Sequence, residues 1–201
     1  MAELLSLARS ELILGGQKSG KSRRAELLAR SWLESGSEHQ AVLIATAQPW
    51  DAEMQARIAR HQADRAVRVP GMRTLEEPLH LTQAIQVHSA SDTLLVVDCL
   101  TLWLTNWRMP MHPKDLLSSE PNQPLAPVGI DYVALLLEAI AAAPGPLVLV
   151  GNEIGLGVIP MGAEVRAFVD ALGLLNQQVA QVCERVTLMV AGLPLTLKAA
   201  D

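Results

Sequence analysis

The chain has 201 residues, of which 50% are hydrophobic, and its formal net charge is −5. Such a chain is long enough to bury a core as one domain. Its acidic balance argues against nucleic-acid binding driven by excess basic charge.

The N-terminal residues, the apolar runs and the cysteines indicate where in the cell the protein is expected. The first residues include an acid at Glu3 and show no signal-peptide pattern, and the apolar runs are too short to span a bilayer. Cys99 and Cys183 lie far apart and form neither a metal-type nor a redox pair. We therefore expect a single domain over residues 1–201, with reduced thiols, no membrane span and a cytoplasmic location.

Apolar runs alternate with helical patterns along the chain, which favours an α/β fold with a largely parallel sheet. In chain order, the predicted strands are Glu11–Leu14, Ala41–Ala45, Thr93–Asp98, Pro146–Val150 and Val186–Val190. The predicted helices are Ser22–Leu33, Asp51–Arg65, Pro78–His88, Asp131–Ala142 and Val165–Glu184. Continuous apolar runs such as Leu94–Val97 are typical of strands covered on both faces.

Other segments have special features. Val67–Pro70 is predicted as a short extended piece, and the tail Leu193–Lys198 as a terminal hairpin strand that Pro194 confines to a turn or an edge. Prolines recur across residues 109–129, which is typical of a surface insertion or lid rather than of a domain boundary. Asp51 is predicted to cap the second helix.

The segment that follows the first predicted strand is a complete P-loop. The pattern G-x-x-x-x-G-K-[ST] is matched by Gly15, Gly20, Lys21 and Ser22. The glycines let successive backbone N–H groups point at phosphate oxygens, Lys21 can reach the β- and γ-phosphates, and the Ser22 hydroxyl can bind Mg²⁺. The alternative is a Gly/Ser-rich turn that contains a lysine by chance. Such a turn would not need a strand before it and a helix after it, and the N-terminus of that helix also faces the anion. The chain is therefore predicted to bind a nucleoside triphosphate.

Asp98 closes the apolar run Leu94–Val97. An acid at the carboxyl end of a buried strand, facing the P-loop across the edge of the sheet, is the Walker B arrangement, and its carboxylate can hold Mg²⁺ directly or through water. A helix N-cap would explain a lone aspartate equally well. The P-loop upstream favours the metal role.

The second predicted helix carries a basic stripe. At helical spacing, Met54 and Ile58 form an anchoring stripe, and Arg57, His61 and Arg65 form a neighbouring one. Two guanidiniums beside an imidazole attract phosphates and disfavour the protonated ring, which keeps a nucleophilic lone pair available. A surface histidine on a solvated basic helix is the commoner explanation of such a pattern, so both interpretations stay open at this point.

Polar residues also follow several predicted strands. Asn152–Gly157 comes after the fourth strand, and Thr46–Gln48 comes after the second. Ligands of open α/β sheets bind at this carboxyl edge, although a strand-to-helix turn that needs glycine explains Asn152–Gly157 as well. Glu76 and Glu77 are most simply first-turn residues of a helix.

These motifs, taken in order, resemble the bifunctional adenosylcobinamide kinase/adenosylcobinamide-phosphate guanylyltransferase family over nearly the whole chain. The resemblance rests on residues 15–22, 44–47, 53–54, 57–61, 65, 73–76, 97–106, 152–160, 173, 176–177, 191–195 and 198. A P-loop alone is shared by many unrelated activities, but this ordered set is specific.

The resemblance implies a two-step enzyme of cobalamin biosynthesis. It would phosphorylate the aminopropanol hydroxyl of adenosylcobinamide with ATP or GTP, and then transfer GMP from GTP to that phosphate, giving adenosylcobinamide-GDP. In the family, the second step passes through a guanylylated histidine, and the matching position here is His61. Lys21 is the second implied catalytic residue, and Mg²⁺ is the implied metal ion, on Ser22 and Asp98.

The resemblance also implies a RecA-like P-loop fold, with helices on both faces of a mostly parallel sheet and an antiparallel edge, assembled as a homotrimer. The implied nucleotide-binding residues are Gly15, Gly16, Gln17, Lys18, Ser19, Gly20, Lys21, Ser22, Thr46, Ala47, Gln48, Gln62, Ala63, Asp64, Arg65, Glu76 and Asp98. The implied partners are adenosylcobinamide, its phosphate and GTP or ATP, without nucleic acid.

Two other functions are compatible with parts of the pattern. A plain P-loop small-molecule kinase would transfer the γ-phosphate but would form no covalent nucleotide, and His61 would then be structural. A RecA-like regulatory ATPase would need a partner surface, for which residues 109–129 are the candidate segment.

Overall fold

A computed structural model describes residues 6–108 and 131–199. The predicted proline-rich insertion at residues 109–129 lies outside the described residues. The strands are β1 (Ser10–Gly15), β2 (Gln40–Ala45), β3 (Arg73–Glu76), β4 (Thr93–Asp98), β5 (Leu147–Val150), β6 (Arg185–Val190) and β7 (Leu193–Lys198). The helices are α1 (Lys21–Ser35), α2 (Ala52–Arg68), α3 (Leu81–His88), α4 (Leu100–Arg108), α5 (Tyr132–Ala142) and α6 (Ala163–Val182).

Within the described residues, the strands form one seven-stranded sheet in the order β3-β2-β4-β5-β1-β6-β7. All neighbouring pairs are parallel except β6 and β7, which are antiparallel, so that β7 forms an antiparallel edge opposite the edge strand β3. Strand β5 lies between β1, which leads into the P-loop, and β4, which ends at Asp98. The expected mostly parallel sheet with an antiparallel edge is confirmed.

The core lies on both faces of the sheet because side chains alternate along the buried strands. Leu12 and Leu14 of β1 pack into a cluster with α3, α4, α5 and α6. Ile13 of the same strand packs on the opposite face, with Ala25 and Leu28 of α1. Helices therefore cover both faces, as expected. In the described part of the chain, no helix has both the length and the apolar composition that a bilayer crossing requires.

The region after α2 differs from the sequence prediction. Val67–Pro70 is not extended, because α2 continues to Arg68, and the edge strand is Arg73–Glu76. The Arg68 guanidinium donates to the buried carboxylate of Glu26 on α1 at 2.6 Å, which favours the extra helical turn. The side chains of β3 are mostly exposed, so this edge strand has no apolar alternation to reveal it.

Several helix boundaries and one whole helix also differ from the prediction, with α1 ending at Ser35 and α6 beginning at Ala163, two residues beyond their predicted limits. Helix α3 begins at Leu81 rather than at Pro78, because the Glu77 carboxylate accepts the backbone N–H groups of Leu79 and His80 just before it. The prediction that Glu76 and Glu77 are first-turn residues is therefore wrong, since Glu76 ends β3 and Glu77 precedes the helix. Helix α6 ends at Val182, short of the predicted end. Helix α4, over residues 100–108, was not among the predicted helices. The predicted cap of α2 is confirmed, since the Asp51 carboxylate accepts from the Met54 N–H at 2.7 Å.

Candidate nucleotide site

The P-loop joins β1 to α1 through a backbone that only certain residues can adopt. Gly20 caps α1 with φ 101°, in the left-handed region, where glycine carries no steric penalty. A Cβ on Gly15 would lie 2.5 Å from the Met189 carbonyl oxygen and 2.6 Å from Ser19 Oγ. The Gly192 N–H donates to the Ser19 carbonyl oxygen at 3.0 Å, which fixes the loop to the β6–β7 turn. The glycines of the motif are therefore required sterically.

Helix α1 is tied to the sheet by a buried carboxylate. Glu11 of β1 is fully buried and forms an ion pair with Arg24 of α1 at 3.0 Å. The Thr187 hydroxyl of β6 donates to the same carboxylate oxygen of Glu11 at 2.7 Å. This buried pair holds the first turns of α1 against β1 and β6, so the two ends of the P-loop keep a fixed separation.

Lys21 is the first residue of α1, directly after the P-loop glycine Gly20. Its side chain is 8% exposed, and its Nζ donates to the Gly16 carbonyl oxygen at 2.6 Å. Burial lowers the pKa of Lys21; the nearby Cys99 and Asp98 oppose this shift, and the Arg57 charge on α2 adds to it. The charges of Asp98 and Arg57 therefore both act on the P-loop lysine.

Asp98 is the last residue of β4, at the carboxyl edge of the sheet, where it pairs with Ala45 of β2 and Val150 of β5. It is partly exposed, as is Ser22 in the first turn of α1. Among the described residues, no three His, Cys, Asp or Glu side chains cluster as a metal site. One carboxylate and one hydroxyl still fit Mg²⁺, which commonly binds one or two protein oxygens together with substrate phosphates and water.

The Thr46 side chain has a structural task that its sequence position did not indicate. Its buried hydroxyl donates to the Cys99 carbonyl oxygen at 2.7 Å and accepts from the Cys99 N–H at 2.9 Å. The Thr46 N–H donates to the Asp98 carbonyl oxygen at 3.2 Å. Thr46 thus fixes the turn that carries Asp98. The next two residues, Ala47 and Gln48, are partly exposed at the same edge.

Buried polar side chains of α4 and α6, which the sequence did not single out for a role, support this edge. Asn106 is 3% exposed, and its amide donates to the carbonyl oxygens of Thr46 at 2.8 Å and Pro78 at 2.9 Å. The Asn176 amide donates to the Asn152 carbonyl oxygen at 3.0 Å. The sequence signal for Asn106 is its helical spacing from the apolar Trp103, which would place it on the buried face of a helix. It could not be used because α4 itself was not predicted.

The basic stripe of α2 divides into exposed and buried members. Arg57 and His61 are exposed, whereas Arg65 is 8% exposed and donates to Thr74 Oγ1 at 3.2 Å. Burial lowers the pKa of Arg65, and the charges of Glu26 and Asp98 oppose this shift. On α2, His61 therefore lies one helical turn from Arg57, whose charge acts on Lys21, and one turn from Arg65, where the charge of Asp98 opposes the lowering of the pKa.

The other predicted nucleotide contacts on this helix have partners within the chain. The Gln62 amide donates to the Glu76 carboxylate at 3.2 Å, which brings two of the predicted residues together. The exposed Asp64 carboxylate pairs with Arg68 at 3.0 Å, and Ala63 is exposed. A cavity of about 160 Å³ between α1 and the end of α2 contains none of the predicted site residues; its lining is Arg23, Glu26, Leu27, Arg30, Arg68 and Val69.

Three features define a P-loop nucleotide-binding protein. They are a glycine-rich anion loop that opens a helix, a nearly buried lysine, and an acid two strands away at the same sheet edge. A family model described as cobinamide kinase / cobinamide phosphate guanyltransferase matches residues 11–197. The chain belongs to this family, and so its class is that of a bifunctional kinase and guanylyltransferase. The family expected from the motifs is confirmed.

Curated relatives match along almost their whole length. The bifunctional adenosylcobalamin biosynthesis protein CobP of Pseudomonas aeruginosa is 46% identical over 188 residues, which cover 94% of this chain and 96% of the relative. The bifunctional adenosylcobalamin biosynthesis protein CobU of Salmonella typhimurium is 33% identical over 187 residues, covering 93% and 98%. The protein of the same name from Escherichia coli is 32% identical over 187 residues, with the same coverage.

Proposed function

We propose that this chain phosphorylates adenosylcobinamide with ATP or GTP and then transfers GMP from GTP to the product through a guanylylated His61, giving adenosylcobinamide-GDP. The observation that carries the proposal is geometric: the nearly buried Lys21 lies against the P-loop, and α2 is bonded to the carboxyl edge that ends at Asp98. Gln62 of α2 donates to Glu76, and the register runs from Glu76 through Ala45 to Asp98. This arrangement supports one site that includes the phosphate-binding loop, the metal-binding acid and the helix that bears the histidine.

In the kinase step, the P-loop residues bind the triphosphate. Backbone N–H groups of residues 15–22 and the α1 N-terminus face the phosphate oxygens, and Lys21 neutralises charge on the β- and γ-phosphates. Ser22 and Asp98 would hold Mg²⁺, which supplies further charge neutralisation there. The substrate hydroxyl attacks the γ-phosphorus, and the bond from that phosphorus to the β–γ bridging oxygen breaks. We assign no general base, since positioning and charge neutralisation account for most of this catalysis.

In the guanylyl step, His61 is the nucleophile. An uncharged imidazole nitrogen attacks the α-phosphorus of GTP, an N–P bond forms, and the bond to the bridging oxygen breaks to release pyrophosphate. An oxygen of the substrate phosphate then attacks this phosphorus, breaking the N–P bond and restoring the imidazole. Lys21 and the P-loop amides stabilise the charge that develops on pyrophosphate. The exposure of His61 supports the role, because a nucleophile must be reached by both GTP and the corrinoid phosphate.

Further nucleotide contacts are proposed around this cradle. Ala47 and Gln48 border the sheet edge beside Asp98, while the Gln62–Glu76 pair and Asp64 belong to the α2 side. Because its hydroxyl and carbonyl are already bonded within the chain, Thr46 contributes by holding the edge in place. Arg65 is the buried residue on the α2 side, where its guanidinium donates to the Thr74 hydroxyl.

Self-association is also part of the proposal, with a homotrimer as the expected state. All six residues of the edge strand β7 are exposed, with Leu193 at 70%, Leu195 at 56% and Leu197 at 57%. An exposed apolar edge strand is a favourable surface for pairing with another copy. The cytoplasmic location stays a prediction.

The deciding experiment is incubation with α-labelled GTP and Mg²⁺, followed by a denaturing gel. We expect acid-labile, alkali-stable label on the wild-type protein and none on His61→Ala. His80→Ala is the matched control, because His80 is also exposed and its side chain makes no capping hydrogen bond. Label that persists in His61→Ala would identify another nucleophile, and γ-phosphate transfer without any covalent label would favour the plain kinase.

A further inference from the structure

The loop between β5 and α6, residues 151–162, exposes a concentration of apolar side chains. Leu156 is 83% exposed, Val158 95%, Ile159 77% and Met161 95%. Side chains of this type are usually buried, and a contiguous exposed group of them marks a binding surface. We refer to these four residues as the apolar platform.

The backbone at the start of this loop is held by polar contacts from neighbouring elements. The Asn152 N–H donates to Thr101 Oγ1 of α4 at 2.8 Å, and the Asn176 amide of α6 donates to the Asn152 carbonyl oxygen at 3.0 Å. The Glu153 N–H donates to the carbonyl oxygen of Gly15, the first P-loop residue, at 3.1 Å. The loop therefore starts in direct contact with the phosphate-binding backbone.

The end of the loop is fixed as well. The Arg166 guanidinium of α6 donates to the Pro160 carbonyl oxygen at 2.9 Å and also to the Met161 carbonyl oxygen. A backbone anchored at both ends holds its apolar side chains in water. Such an arrangement is preorganised for a ligand, because little ordering of the loop remains to be done on binding.

The position of the loop in the sheet points to the acceptor of the transfer reactions. Strand β5 lies between β1, which leads into the P-loop, and β4, which ends at Asp98. An acceptor hydroxyl that meets the γ-phosphate must approach from this carboxyl edge. The loop that carries the apolar platform therefore starts at the edge from which the acceptor must approach.

We infer that the apolar platform binds the corrin ring of the cobinamide substrate and thereby positions the aminopropanol arm at the nucleotide. This inference rests on the proposed function. A corrin ring is broad and carries methyl groups on its periphery, so it offers apolar surface that matches the platform. The acceptor phosphate and the nucleotide are both anionic, and an uncharged platform holds the ring without competing for either.

A second copy of this chain is a less suitable occupant. The exposed leucines of β7 form a separate apolar surface at the far edge of the sheet, which is available for self-association. The contact between Glu153 and Gly15 instead joins the loop that carries the platform to the P-loop.

The test is the double variant Val158→Ser/Met161→Ser in the full chain, with adenosylcobinamide as the probe. We expect the KM for adenosylcobinamide in the kinase assay to rise about tenfold or more, since each lost apolar contact in a binding site weakens discrimination by such factors. The KM for ATP should not change. Val87→Ser on α3, where the side chain is 66% exposed, is the control and should leave both constants unchanged.

Two further measurements separate this inference from its alternatives. Equilibrium dialysis, followed by corrin absorbance, should show weaker adenosylcobinamide binding by the double variant, while its labelling by α-labelled GTP alone stays at the wild-type level. Wild-type protein that takes up no label would refute the histidine step and leave the platform test intact. An unchanged KM for adenosylcobinamide in the double variant would overturn the corrin-binding role of the platform. So would a sedimentation mass of the double variant that differs from that of the wild type.

Discussion

Replacing Asn106 with leucine tests whether the buried asparagine of α4 holds the nucleotide edge together. The side chain is 3% exposed, and its amide donates to the carbonyl oxygens of Thr46 and Pro78 at 2.8 and 2.9 Å. Leucine has a similar volume but no donor, so it leaves these two acceptors without that partner. An unsatisfied buried acceptor costs ~1–3 kcal/mol, and the Pro78 acceptor is only partly buried, so we expect a loss of about 2–4 kcal/mol in the free energy of unfolding.

The loss is measured by urea unfolding at one fixed protein concentration. For a domain of this size, about 2–4 kcal/mol also corresponds to a fall of roughly 4–16 °C in Tm. The KM for ATP should rise as well, because the residues beside Thr46 border the nucleotide site. Thr105→Val is the matched control, since the Thr105 hydroxyl donates only within its own helix, to the Thr101 carbonyl oxygen. A loss below ~1 kcal/mol in Asn106→Leu would refute the clamp.

The remaining predictions concern the P-loop lysine and the two thiols. Lys21→Met should lower kcat/KM by about a hundredfold or more in both half-reactions, since it removes charge stabilisation at the transferring phosphates. The free energy of unfolding should not fall, because Nζ is partly desolvated and its acceptor, the Gly16 carbonyl, belongs to an exposed residue. Loss of only one half-reaction would mean two separate cradles. Burial raises the pKa of Cys99 and Cys183 from 9.0 to about 12, so a thiol reagent at pH 8 should modify them only in denaturant, and they contribute stability that is lost as pH rises from 9 towards 12. Rapid modification of the folded protein would contradict their burial.

Several features were predictable because their cause is local. The P-loop needs particular backbone conformations within eight residues, and only glycine meets them at Gly15 and Gly20 without strain. The central strands are continuous apolar runs, which are typical of strands covered on both faces. The predicted strand Thr93–Asp98 matches β4 at both ends.

Other elements were missed because their cause lies elsewhere in the chain. The exposed edge strand β3 is paired by β2, so its own residues carry little signal. The end of α2 depends on the Arg68 contact with Glu26, which is 42 residues away. Helix α4 directly follows a buried strand, and the two apolar patterns run together at their junction.

The amino-acid sequence by itself determined that this protein has a P-loop at the carboxyl edge of a parallel sheet, because loop chemistry and strand periodicity are short-range properties. Only the tertiary structure decided how the surrounding residues divide their tasks. Arg65 is buried and His61 exposed although they are four residues apart on one helix. The Thr46 hydroxyl bonds to Cys99, and the apolar platform is exposed on a loop that starts in contact with Gly15. Burial and long-range hydrogen bonds depend on which elements meet in space, and residue spacing along the chain does not contain that information.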